Sequence, residues 1–297
     1  MYMDFKEDIK KLRPTLSDSS VTTYNSILKS LHKKVFGDQP LDIASFEKHV
    51  EVLKHLEDMA PNKRKTILSA LVVVSKDPKP YRSQMLEDIK STAVETAKQE
   101  KTEEQKEHWI LPESIVSLYG ELKAEADHLY KKKDRTMADL QKIQNFVIIA
   151  LFHLIPPRRA KDYCDFKIKS IDKALDNWFD EKASEVVMVS YKTSKFYGEQ
   201  RVKVDKVLKS ILKKWIAINP TDYLLFDSIS KKLSPVKLNQ RLNKMFGSDK
   251  GCSVNGLRHS YLSNKYQDTI AVQSAMKKDM SDMGSSVKQA SVYIQKE

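Results

Sequence analysis

One stretch of this chain, EVVMVSYKTSKFYGEQRVKV at 185–204, alternates apolar and polar side chains with the period of two that a half-buried strand requires. Val187, Val189 and Tyr191 share a face, a loop ends at Gly198, and Val202 and Val204 alternate with Arg201 and Lys203. That is the pattern of a β-hairpin. The other long core-forming segments repeat at three and four residues instead. The fold class expected is therefore mainly α with a small β-hairpin or sheet.

The helical signal starts early. In SDSSVTTYNSILKSLHKKVFG, a Ser/Asp cluster offers N-cap oxygens, Val21, Tyr24, Ile27, Leu28, Leu31 and Val35 recur at helical steps, and Gly37 stops the run. IASFEKHVEVLKHLEDM repeats the pattern. PNKRKTILSALVVV opens with Pro61 at a helix start and puts Lys63, Arg64 and Lys65 in the first turn, where cations oppose the helix dipole. Nearby phosphates would justify them; a solvated basic turn is the plain alternative. Residues 1–75 read as a helical domain. Residues 76–108, with Pro78, Pro80 and then a run dense in Lys, Glu and Gln, read as a linker, partly helical. From Trp109 the core-forming density returns, so 109–297 reads as a second, α+β domain.

A chain of 297 residues with 40% apolar content can bury the cores of two domains. Its 52 Lys and Arg against 40 Asp and Glu give a net charge of +12, which suits a polyanionic partner, though a solvated surface accounts for excess charge equally well. Cys164 and Cys252 lie far apart and match no metal spacing, as in a reduced, intracellular protein with neither disulfide framework nor metal. MYMDFKEDIKK has no apolar signal core and the run FVIIALFHLI at 146–155 is too short to span a bilayer, so a soluble protein is expected.

Four segments have the residue types that chemistry on an anion would need, and each also has a plain structural reading. In LIPPRRAKDYCDF, Pro156 and Pro157 break an apolar helix and Arg158 and Arg159 follow; a buried arginine must meet a carboxylate such as Asp162 or an incoming anion. In YKTSK, Lys192 ends the first hairpin strand, with Lys195 beyond it, and either enters a DNA groove or protects a sheet edge. In VNGLRHSYL, Leu257 and Leu262 face a core while Arg258 and His259 point elsewhere. In GSSVKQASVYIQ, Val287 and Val292 make a helical seam ending at Tyr293.

Their order and spacing give the chain a resemblance, over nearly its whole length, to the tyrosine recombinase/integrase family. RRAKDY resembles that family's first-arginine box, with the match on Arg159 and Asp162 and Arg158 as the fallback. SYKTSK resembles its hairpin-lysine box at Lys192, and NGLRHSY its HxLRH box at Arg258; Tyr293 follows about 35 residues later. PPRR and YKTS are also similar to integrase-like proteins of large DNA viruses and mobile elements. Two positions depart from the family. Asn255 stands where His or Lys is usual, and Gly284 or Ser285 where His or Trp is usual; His259 is a candidate substitute. The chain also runs only four residues past Tyr293, where relatives use a longer tail to dock on a neighbour.

The resemblance implies a helical core-binding domain that contacts DNA through residues such as Lys63, Arg64 and Lys65, with Lys195 adding a contact from the hairpin, and a catalytic domain that cuts and rejoins strands. In it Arg159 and Arg258 hold the phosphate, Lys192 protonates the leaving oxygen, and Tyr293 forms a 3′-phosphotyrosyl bond. It implies double-stranded DNA as partner, a homotetramer on two sites, and no metal or cofactor. Two alternatives stand beside it: a catalytically degenerate DNA-binding protein of the same fold, and a type IB topoisomerase-like enzyme using the same Arg, Lys and Tyr chemistry alone.

Overall fold

A computed structural model describes residues 4–248 and 251–294. Its secondary structure is mostly helical with one small sheet, and the chain divides into two compact units, Met1–Glu100 and Lys101–Glu297.

In the first unit, α1 (Lys6–Leu12) turns Phe5 and Ile9 inward. The helix α2 (Asp18–Phe36) begins where the Ser17 hydroxyl accepts the Ser20 N–H at 3.2 Å, and it ends at Gly37, whose φ of +66° suits a residue without Cβ. Then come α3 (His49–Leu56), α4 (Pro61–Val74) and α5 (Lys79–Ala97). The core gathers around Phe46, with the Phe5 and Phe36 rings 5.7 and 6.2 Å from it.

The stretch expected to be a linker is, over Lys79–Ala97, the helix α5, part of this unit. Tyr81 is fully buried and its hydroxyl donates to the Phe46 carbonyl at 2.5 Å. Asp88 is buried too, and the Arg64 fork donates to it through Nε (2.9 Å) and Nη2 (2.7 Å) while Nη1 donates to the Glu57 carbonyl at 2.6 Å. One tyrosine and one aspartate thus dock a helix whose composition otherwise looks solvated. They also correct the reading of Arg64: its guanidinium is occupied inside the protein by α5 and the last carbonyls of α3 instead of facing phosphate. The carboxylate of Asp88, bonded by that fork, lies below the ordinary aspartate range.

The second unit opens with α6 (Glu103–Glu107), α7 (Pro112–Tyr130) and α8 (Met137–Leu154). Every residue of α8 from Phe146 to Phe152 is buried, as a helix apolar on all sides must be. The helix packs against α7 and, further along, α11. Next come α9 (Ala160–Cys164), β1 (Phe166–Lys167), β2 (Asn177–Asp180), β3 (Glu185–Met188), α10 (Ser194–Tyr197), β4 (Gln200–Lys203), α11 (Lys206–Ile218), α12 (Pro235–Phe246), α13 (Val254–Tyr266), α14 (Thr269–Asp282) and α15 (Ala290–Tyr293). The sheet order is β1-β2-β3-β4, parallel between β1 and β2 and antiparallel elsewhere.

The hairpin stands, with Val187 opposite Arg201, but its strands are shorter than the alternation suggested. The first ends at Met188, so Lys192 lies in the connection before α10 and not at a strand end. Two polar side chains do backbone work in this core. Gln144 accepts the Phe226 N–H at 2.8 Å and donates to the Phe226 carbonyl at 2.9 Å, and Trp215, stacked on Phe226, donates to the Leu224 carbonyl at 2.8 Å. No helix among the described residues is long and apolar enough to cross a membrane.

Candidate functional site

Pro156 and Pro157 cannot continue the amide ladder of α8, so the chain leaves the core there and restarts as α9 three residues on. Asp162, in the first turn of α9, accepts the Arg159 backbone N–H at 3.4 Å and the Arg158 Nε–H at 3.2 Å. Asp162 is 1% exposed, and burial raises its carboxyl pKa against the opposing pull of the Arg158 charge. Arg158 is held on every side. Nη1 donates to Gln200 Oε1 at 2.7 Å, its guanidinium carbon sits 4.9 Å over the Tyr191 ring, and its backbone N–H donates to the Tyr163 hydroxyl at 2.9 Å.

Arg159 is the opposite case. Its side chain is half-buried and takes no hydrogen bond or ion pair among the described residues. The hydrogen bond expected between Arg159 and Asp162 is therefore made by the Arg159 backbone and the ion pair belongs to Arg158, while the Arg159 charge acts on Asp162 only through space. The backbone direction after the two prolines turns the first arginine toward α9 and leaves the second outside that network.

Arg258, on α13, joins from 101 residues away: its Nε donates to the Pro157 carbonyl at 3.3 Å, and among the described residues its two terminal nitrogens are unpaired. The two arginine segments thus meet at Pro157. The lysine loop is tied to the same place through Asn177, which is fully buried. Asn177 Oδ1 accepts the Val189 and Ser190 N–H groups at 2.9 and 2.8 Å, and its amide donates to the Asp162 carbonyl at 3.1 Å. Lys192 follows two residues later, exposed and without a carboxylate partner among the described residues.

Tyr293 is not brought into this network. It sits on α15 with 57% exposure, and its hydroxyl takes no hydrogen bond among the described residues. Gly284, at φ +72°, makes the turn after α14, and Ser285 Oγ meets Gln289 Oε1 at 2.5 Å. Asn255 and His259 are exposed on α13. In the first unit Lys63 is exposed and Lys65 half-buried, and Lys195 is exposed on α10. Both cysteines are free and buried, their thiols pushed up to about 12 by burial.

Three residues that position the site went unread in the sequence, Tyr163, Asn177 and Gln200, and Tyr191 was read only as part of a strand face. Asn177 alone left a signal there, an amide opening the short NWFD run, where a buried polar side chain must be bonded.

No protein-family model matches the chain, and no curated protein matches it. A solved structure described as a crystal structure of XerA recombinase is similar to it. The identity is 12%, the match covers 89% of this chain and 83% of that one, and the TM-score is 0.35.

Chemically, the unpaired guanidinium N–H groups of Arg159 and Arg258, carried on segments that meet at Pro157, are donors of the kind a tetrahedral oxyanion accepts.

Proposed function

We propose that this protein binds double-stranded DNA and cuts and rejoins its strands as a tyrosine-type site-specific recombinase, in the manner the sequence resemblance implies. One observation carries the reading: Arg258 bonds to the carbonyl of Pro157, next to the arginine pair, while the Arg159 fork is left without a partner. A half-exposed guanidinium whose N–H fork is left free is open to an incoming anion.

In this reading Arg159 and Arg258 donate to the two non-bridging oxygens of the scissile phosphate, where negative charge grows as the phosphorus becomes five-coordinate. Tyr293 loses its proton to solvent and its oxygen bonds to phosphorus; the bond to the 5′-oxygen breaks, and Lys192 gives that oxygen a proton. The 3′-phosphotyrosyl ester retains the bond energy, so a 5′-hydroxyl from a second duplex reverses the step. Arg158 is a positioning residue: its contacts to Asp162, Gln200 and Tyr191 join the phosphate site to the lysine loop. Lys63, Lys65 and Lys195 are proposed contacts to the DNA backbone, and exchange between two duplexes is proposed to use four copies of the chain.

The test offers nicked DNA substrates that trap the covalent intermediate and looks for protein-linked DNA on a denaturing gel. The wild type is expected to form the adduct, Tyr293→Phe none, and Arg159→Ala or Arg258→Ala to slow its formation by on the order of 100- to 1000-fold. A second reading has its own support: Tyr293 is exposed without a tie to either arginine, and Gly284 and Ser285 stand where an imidazole was expected. A non-cleaving DNA-binding protein would bind DNA equally well with Tyr293→Phe and would give no adduct on any substrate. Relaxation of one supercoiled plasmid without joining of two sites would indicate topoisomerase-like action.

A further inference from the structure

The connection between β3 and β4 displays two neighbouring aromatic rings to solvent, Phe196 at 85% and Tyr197 at 69% exposure. Neither belongs to the arginine site. Two adjacent rings make a contiguous apolar patch of the kind that marks a docking surface, and three observations say what covers it.

The first is charge. From Val186 to Gly198 there is no Asp or Glu, and Lys192 and Lys195, both exposed, have no carboxylate partner among the described residues. The second is direction. Consecutive residues of a helical turn point about 100° apart, so a flat partner surface covers one ring of such a pair and leaves the other wet. A groove with walls rising on both sides covers both. The third is rigidity. Tyr191 closes the neck of the loop by donating from its hydroxyl to the Gly198 carbonyl at 2.7 Å, and Gly198 N–H donates to the Ser194 carbonyl at 2.8 Å. The rings are therefore carried on a braced tip, and Tyr191 itself lies under the Arg158 guanidinium.

We infer that this tip is a DNA wedge: Lys192 and Lys195 seat it between two phosphate strands, and Phe196 and Tyr197 press on a base step beside the phosphate site, unstacking it. The inference rests on the DNA-binding half of the proposed function and not on strand cutting.

The experiment uses the full chain with Tyr293→Phe and short duplexes in which a fluorescent adenine analogue, bright when unstacked, replaces one base at successive positions. Binding is followed by anisotropy on the same samples. Binding should brighten the analogue at one step or two adjacent ones. Adding Phe196→Ala and Tyr197→Ala should abolish the brightening and weaken binding by on the order of 10-fold, with the melting temperature unchanged because both rings are exposed. Binding without brightening at any position overturns the wedge, as does brightening that survives the double substitution. It is equally overturned if the protein binds no duplex, or if the double substitution alters self-association and leaves DNA affinity intact. The two proposals fail separately: covalent adduct from the wild type without brightening sinks only the wedge, and brightening without adduct sinks only the cleavage chemistry.

Discussion

Arg158 and Arg159 are adjacent in sequence and opposite in circumstance, and their substitutions should separate cleanly. Removing the guanidinium in Arg158→Ala leaves the buried Asp162 carboxylate uncompensated, a loss expected to cost about 3 kcal/mol. The loss should depend on pH with a definite sign. Burial already raises the Asp162 pKa in the folded state, and without Arg158 it rises further. The variant is thus most stable below the ordinary aspartate value, where Asp162 is protonated folded and unfolded, and loses stability as pH rises through the folded value. Thermal melts at several pH values check this; a variant whose deficit is the same from acid to neutral pH would contradict the pairing. Arg159→Ala, in contrast, should change stability by no more than about 0.5 kcal/mol while weakening binding of DNA.

At the scale of elements, ends and connections decide more than interiors do. The helix α8 is started by a reciprocal cap in which Thr136 accepts the Asp139 N–H at 3.2 Å and Asp139 accepts the Thr136 N–H at 2.9 Å. The Lys132 ammonium bonds the same carboxylate, and with the Thr136 donors it lowers Asp139 to about 2. Asp227 in the turn before α12 is lowered to about 2 chiefly by Lys237. Both carboxylates stabilise the fold above the ordinary value of 3.8, and that contribution is lost as pH falls through the interval down to about 2. Acid titration followed by circular dichroism should show unfolding in that window, shallower in Asp139→Asn. The Ser/Asp start of α2, its stop at Gly37 and the β3–β4 hairpin were legible in the sequence because they depend on neighbours a few residues apart; the Thr136–Asp139 cap is just as local but was not read. The parallel pairing of β1 with β2 was not, since two- and four-residue strands have no period to read.

At the scale of the molecule, the chain is two units with separate cores, and the polar helix α5 belongs to the first. A fragment of residues 1–100 is accordingly expected to be helical and to melt cooperatively by circular dichroism. A fragment ending at 75 lacks Tyr81 and Asp88, leaves Arg64 unpaired, and should melt without a cooperative transition. Equal melts from the two fragments would show that α5 is a tether after all.

The residues by themselves determined the helical bulk of the protein, the β3–β4 hairpin though not the β2–β3 one before it, and the order of an arginine pair, a lysine, an arginine and a tyrosine along the chain, because periodicity, caps and spacing are local quantities. Which arginine is locked and which is left unpaired was decided only by the tertiary structure. The contacts that choose between them come from Gln200, 42 residues on, while the Arg258 bond to Pro157 crosses 101. No local preference encodes those distances; they exist only once the core of the second unit has packed and a buried asparagine has joined the lysine loop to α9.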